Sequence, residues 1–103
     1  MFAAVVEQHR DAIEALCRRY HVARLEVFGS AADGTFDPAR SDVDFLVEFE
    51  PLEPGKLADA YFGLLADLEK TFQRRVDLVT PKAIRNPYFL RGVNATRRLL
   101  YAA

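Results

Sequence analysis

The chain is poor in the residues that make disulfides and zinc sites. It has one cysteine, Cys17, and two histidines, His9 and His21. A lone thiol excludes an internal disulfide and a Cys-based zinc site, and the histidines are too isolated to suggest a metal site or a general base. No apolar run approaches the roughly 20 residues needed to span a bilayer. No charged-then-apolar leader opens the chain, so a cytoplasmic protein with no membrane partner is expected. Acids are missing after Asp77. All 15 lie at or before it, whereas positions 81–103 carry Lys82, Arg85, Arg91, Arg97 and Arg98. Such a tail suits a phosphate or an acidic partner surface, and equally a solvated basic helix. The formal net charge of -1 argues against a general nucleic-acid binder, and no direct nucleic-acid contact is expected.

What is present is enough for one packed domain. Half of the 103 residues are hydrophobic, and no repeat, low-complexity segment or linker divides them, so residues 1–103 read as a single domain. A domain this small buries a modest share of its surface, which makes it a candidate for completion by a partner. Phe2, Val5, Val6, Ile13, Leu16, Cys17 and Tyr20 recur near a 3.6 period and predict a helix over 2–20, with Cys17 in the core. Residues 24–28 alternate as a strand with Leu25 and Val27 inward. A loop over 31–40 follows, with room for one helical turn after Gly29; Asp33-Gly34 and Asp37-Pro38 break regular structure there. A second strand runs over 42–49 and a helix over 57–72. A third strand covers 75–80. Asn86-Pro87 reads as an N-cap and first helical position for a last helix over 87–101. This order predicts an α+β fold: a small mixed sheet with helices packed on one face and the other face open.

The open face carries the chemistry. Asp42 and Asp44 flank Val43 in an alternating run, and side chains two apart on a strand share a face roughly 6.6 Å apart along it. Two such carboxylates repel each other, so the pair makes sense in front of a cation. Asp77, in the run 75–79, could join them from a neighbouring strand about 4.8 Å away. Upstream stands Gly29-Ser30, where a glycine lets backbone approach a phosphate and the Ser30 hydroxyl adds a donor. Alone, an Asp-x-Asp mostly decorates an exposed strand, and a Gly-Ser is mostly a turn. Together with Asp77 they are the parts of a metal-assisted nucleotidyl transfer site, where carboxylates hold Mg²⁺ against a nucleoside triphosphate. Glu48 shares this face but reads as a solvated edge charge. Arg40 reads as exposed, and Tyr61, Tyr88 and Phe89 as core or partner-facing.

The segments 27–30 and 41–49 resemble the minimal nucleotidyltransferases of the DNA polymerase β-like superfamily, in particular the antitoxin members called MntA. Residues 75–80 and 84–88 share the likeness, which spans nearly the whole chain. The resemblance implies that Gly29 and Ser30 hold the triphosphate of ATP and that Asp42, Asp44 and Asp77 are the catalytic, Mg²⁺-binding carboxylates. It also implies a partner, a HEPN-domain ribonuclease toxin held in a hetero-oligomer, whose tyrosine hydroxyl receives AMP. Eleven residues, Ala31 to Ser41, separate Gly-Ser from the first aspartate, one more than the family pattern. A second function class stays open beside the enzyme: an antitoxin that neutralises its toxin by binding alone, through the basic tail and the last helix.

Overall fold

The computed structural model describes residues 3–103. Phe2, the first residue of the expected N-terminal helix, lies outside them. That helix is two: α1 (Ala4–Gln8) and α2 (Arg10–Arg19). The break falls at His9, whose N–H donates to Val6 O at 3.2 Å. The imidazole packs edge-on to Phe72 with ring centroids 5.2 Å apart. Val6 on one side of the break and Ile13 on the other are both fully buried.

β1 (Val22–Phe28) leads through Gly29 into a one-turn helix, α3 (Ser30–Asp33). β2 (Val43–Phe49) starts one residue later than expected, so Asp42 stands at its entry rather than within it. The helix α4 (Pro54–Phe72) starts three residues earlier than expected, because Pro54 suits the first helical position, where its missing N–H costs nothing. β3 (Val76–Val79) follows, then a short 3₁₀ turn over Pro81–Ala83. The last helix, α5 (Pro87–Thr96), opens as the sequence predicts: Asn86 Oδ1 accepts from Tyr88 N at 2.9 Å.

α5 is shorter than expected. The chain turns extended at Arg97 and forms a fourth strand, β4 (Arg98–Ala102), where helix was predicted to Tyr101. The spacing of Leu99, Leu100 and Tyr101 fits either state over so short a run. The edge of β1 decides it, because backbone groups there gain partners only if the chain pairs with them.

The four strands are ordered β3-β2-β1-β4. β1 is antiparallel to both neighbours, while β2 and β3 are parallel and joined through α4, the long crossover that parallel pairing requires. The main helical layer lies on one face, as expected. There Ile13, Cys17, Leu64, Leu68 and Phe72 pack against Leu25, Val27, Val43, Phe45 and Val47. Helices α2 and α4 approach closely at Gly63, where an added Cβ would stand 2.5 Å from the Tyr20 ring. The other face is not left bare. α5 covers part of it through Val93, which clusters with Phe28 and Leu46. No helix among the described residues is long and apolar enough to cross a membrane.

Candidate active site

The candidate site is written into strand register. Phe28 on β1 pairs with Asp44 on β2, and Asp44 pairs with Asp77 on β3. Residues directly opposite in a sheet project to the same side, so Phe28, Asp44 and Asp77 form one row across three strands. The alternation that buries Val43, Phe45 and Val47 in the core turns Asp44 to the other face.

Gly29 closes the row. Its φ of +70° and ψ of -148° are open to glycine and strained for other residues. A Cβ there would lie 2.5 Å from Asp44 Oδ2. The bend and the carboxylate are therefore in direct contact. Gly29 O accepts from the N–H groups of Ala32 and Asp33, both at 3.0 Å, while Gly29 N–H donates to Thr96 Oγ1 at 2.8 Å. The Gly29 amide is thus already taken. What remains for a phosphate is the Ser30 hydroxyl and the amides of Ser30 and Ala31, none of which donates to a group among the described residues.

The electrostatics of the row are those of uncompensated like charge. Asp44 is half-buried, and its carboxyl is pushed up to about 7 by burial, then by the adjoining Asp77, and least by the charge of Asp42. Asp77 is exposed. No arginine, lysine or histidine forms an ion pair with Asp42, Asp44 or Asp77 among the described residues. Asp42 is positioned through its neighbour: Ser41 O accepts from Arg74 at 3.1 Å, and Ser41 N–H donates to Asp37 O at 2.8 Å. The Arg74 guanidinium in turn lies over Phe36, 5.0 Å from the ring centroid.

Such hard oxygen donors without a cationic partner fit a divalent ion of the Mg²⁺ class. No three acidic, His or Cys side chains among the described residues are already gathered as a cage. Asp44 and Asp77 adjoin, and Asp42 stands near enough for its charge to act on Asp44.

Beside the row is a cleft of about 260 Å³ lined by Phe28, Asp44, Tyr61, Leu65, Asp77 and Phe89, among others. The rings of Phe28 and Phe89 meet edge to face at 6.0 Å. Tyr61 donates its hydroxyl proton to Leu78 O, and burial and the Asp77 charge raise its pKa. Tyr61 and Phe89 therefore belong to the cleft wall, while Tyr88 stands exposed outside it. Glu48 and Arg40 are exposed, as expected.

Sequence reasoning missed two residues, Glu26 and Thr96, and the role of a third, Arg97. Glu26 is 5% exposed on the same face as Asp44, and accepts from Arg97 Nε at 2.9 Å and from the Arg97 terminal nitrogen at 2.5 Å. Thr96 holds the Gly29 amide. The sequence carries no signal for Glu26, because an acid between Leu25 and Val27 in a strand reads equally well as a solvated one. The basic tail is accordingly not all free for a partner. Arg97 is held by Glu26 and Arg98 donates to Ala32 O at 3.3 Å, whereas Lys82 and Arg85 are exposed and make no ion pair among the described residues.

Comparison with known proteins identifies the family and the fold. The model of the nucleotidyltransferase domain family matches residues 9–100. The candidate protein adenylyltransferase MJ1379 of Methanocaldococcus jannaschii is 36% identical over 75 residues, which span 73% of each chain. Among solved structures, a candidate minimal nucleotidyltransferase superposes with a TM-score of 0.73 at 31% identity, covering 95% of each chain. A complex of a tri-AMPylated Shewanella oneidensis HEPN toxin with an MNT antitoxin gives a TM-score of 0.62 at 19% identity, covering 94% of this chain and 72% of that one. At that identity the likeness is one of fold.

Proposed function

The chain belongs to the nucleotidyltransferase domain family, and from that premise we propose that it is an Mg²⁺-dependent protein adenylyltransferase. Its acceptor in this reading is a tyrosine of a HEPN ribonuclease toxin, which it disables as a cytoplasmic antitoxin. The relative MJ1379, a candidate protein adenylyltransferase, supports the reaction class, and the fold shared with the MNT antitoxin supports the partner. The observation that carries the reading is the row itself: Asp44 and Asp77 in register, with the Gly29 bend against Asp44.

The chemistry follows from the positions. ATP lies with its phosphates at Gly29 and Ser30 and its α-phosphorus at the carboxylate row. The acceptor oxygen attacks that phosphorus, the bond to the bridging oxygen breaks, and pyrophosphate leaves. The hydroxyl proton passes to Asp77, the exposed member of the row, which can reach an incoming side chain. Mg²⁺ held by Asp42, Asp44 and Asp77 would offset the negative charge that builds on the phosphate oxygens.

The test is incubation of the purified protein with ATP, Mg²⁺ and its cognate toxin, followed by intact-mass measurement of the toxin. Addition of AMP that disappears in the Asp42→Asn/Asp44→Asn variant is expected. An unmodified toxin that the variant still neutralises would instead establish inhibition by binding alone.

A further inference from the structure

The Gly29 bend faces a mechanical problem. A glycine is needed there, because any Cβ would strike the Asp44 carboxylate. The same missing side chain leaves the peptide free to rotate, and a rotated peptide would move the Ser30 hydroxyl and the next amides away from the row. Within the bend the carbonyl of Gly29 is tied to Ala32 and Asp33. Its amide is tied from outside, by a residue 67 positions later in the chain.

We propose that Thr96 is a positioning residue for the nucleotide: its hydroxyl locks the Gly29 peptide in the orientation that presents Ser30 to the triphosphate. The inference rests on the reading of Gly29-Ser30 as the triphosphate-binding bend. The hydroxyl is suited to this by being used on both sides. It accepts from Gly29 N–H at 2.8 Å and donates to Gly92 O at 3.2 Å, so its proton and lone pair are both oriented. The helix that carries it is itself anchored. Val93 is 1% exposed beneath α5, and Arg97, the next residue, is held by Glu26 of β1. Thr96 and Arg97 thus grip the chain at two points three residues apart, Glu26 within β1 and Gly29 just after it. Arg97 fixes where the helix end sits, and Thr96 transmits that position to the bend. Among the described residues Thr96 hydrogen-bonds to no carboxylate of the row, so its action on the site is through Gly29.

A structural role alone would lower stability and nothing else, so the test separates the two. Thr96→Val removes the hydroxyl at nearly constant volume, and Thr96→Ser restores it. Thr71→Val is the control, since Thr71 also donates to a helical carbonyl, Asp67 O at 2.8 Å, but on α4 away from the bend. Affinity for a fluorescent ATP analogue with Mg²⁺, melting temperature and hydrogen exchange at the Gly29 amide are read for each. Expected are an about tenfold loss of nucleotide affinity in Thr96→Val, the scale of one net hydrogen bond, with recovery in Thr96→Ser and none of this loss in Thr71→Val. The Gly29 amide should exchange faster in Thr96→Val only. Unchanged affinity in Thr96→Val, or a loss that Thr96→Ser fails to recover, overturns the inference while leaving the transfer reaction standing. Wild-type protein that binds no nucleotide overturns both. Wild-type protein that binds nucleotide through Thr96 but modifies no toxin overturns the reaction and leaves the inference intact.

Discussion

Glu26 and Asp44 sit on the same face of the same sheet, on adjacent strands, and have opposite fates. Glu26 is buried with a guanidinium on each side, Arg97 and, at 3.2 Å, Arg24; its carboxyl is held below the ordinary 4.5, chiefly by the Arg97 hydrogen bonds. Asp44 is half-buried with a carboxylate as its neighbour and no ion pair among the described residues, and its carboxyl is raised. One acid is satisfied inside the fold. The other is left waiting for a charge from outside. In the proposed reading the difference separates a residue that secures structure from one that serves a ligand, and neither burial nor residue type alone draws that line.

The sharpest way to break the contrast is to remove the waiting charge. Asp44→Asn, or Asp77→Asn, is expected to lower AMP transfer by roughly 10³-fold, the scale of losing a major electrostatic contributor to a transition state. Intact-mass time courses on the toxin measure it. Next in size is the satisfied acid. Arg97→Ala strands Glu26, and should cost about 2–3 kcal/mol, less than for a wholly orphaned buried ion because Arg24 keeps one bond. Urea melts would record it, and the double variant Glu26→Leu/Arg97→Leu should recover most of the loss. Charge reversal at Arg97 is therefore a poor probe of partner binding, since it unsettles the fold first.

A smaller effect has the other sign. In metal-free buffer at pH 8, Asp44→Asn should stabilise the protein by about 1 kcal/mol, a rise in melting temperature of roughly 5 °C, because it removes a carboxylate that folding makes harder to ionise. A calorimetric scan would decide it, and a lower melting temperature would show that Asp44 is compensated after all. The subtlest test is the pH dependence of stability without metal. Glu26, lowered in the fold, contributes fully above its unfolded value of 4.5, and that contribution fades as pH falls below it. Asp44, raised in the fold, contributes fully below its unfolded value of 3.8 and loses that contribution as pH rises through about 7. Glu26→Gln should flatten the acid limb of the profile and Asp44→Asn the limb between.

The same contrast explains what could be seen in the sequence. Asp44 and Asp77 stood out because strand alternation is a local pattern and each interrupts an apolar run, and Asp42 stood out by its spacing from Asp44. The Gly-Ser bend and the Asn86-Pro87 helix start are local signals of the same kind. Glu26 with Arg97, and Gly29 with Thr96, are partners 71 and 67 residues apart, and no periodicity links them. The strand β4 escaped for a related reason. Five residues cannot declare their state by spacing, and the free edge of β1 that captures them exists only after the chain has folded. At the break in the first helix, likewise, His9 meets Phe72, a residue of another helix that no local pattern could pair with it.

The parallel pairing of β2 and β3 carries one more consequence. Asp77 meets Asp44 because the ladder counts residues, and a strand that slips by one step exchanges its two sides. A deletion in the short turn before β3, at positions 73–75, would then bring Leu78 to the place of Asp77 and drive the acid toward the oily interior. The turn is thus the molecule's ruler, and its length should resist change more stubbornly than the letters written in it.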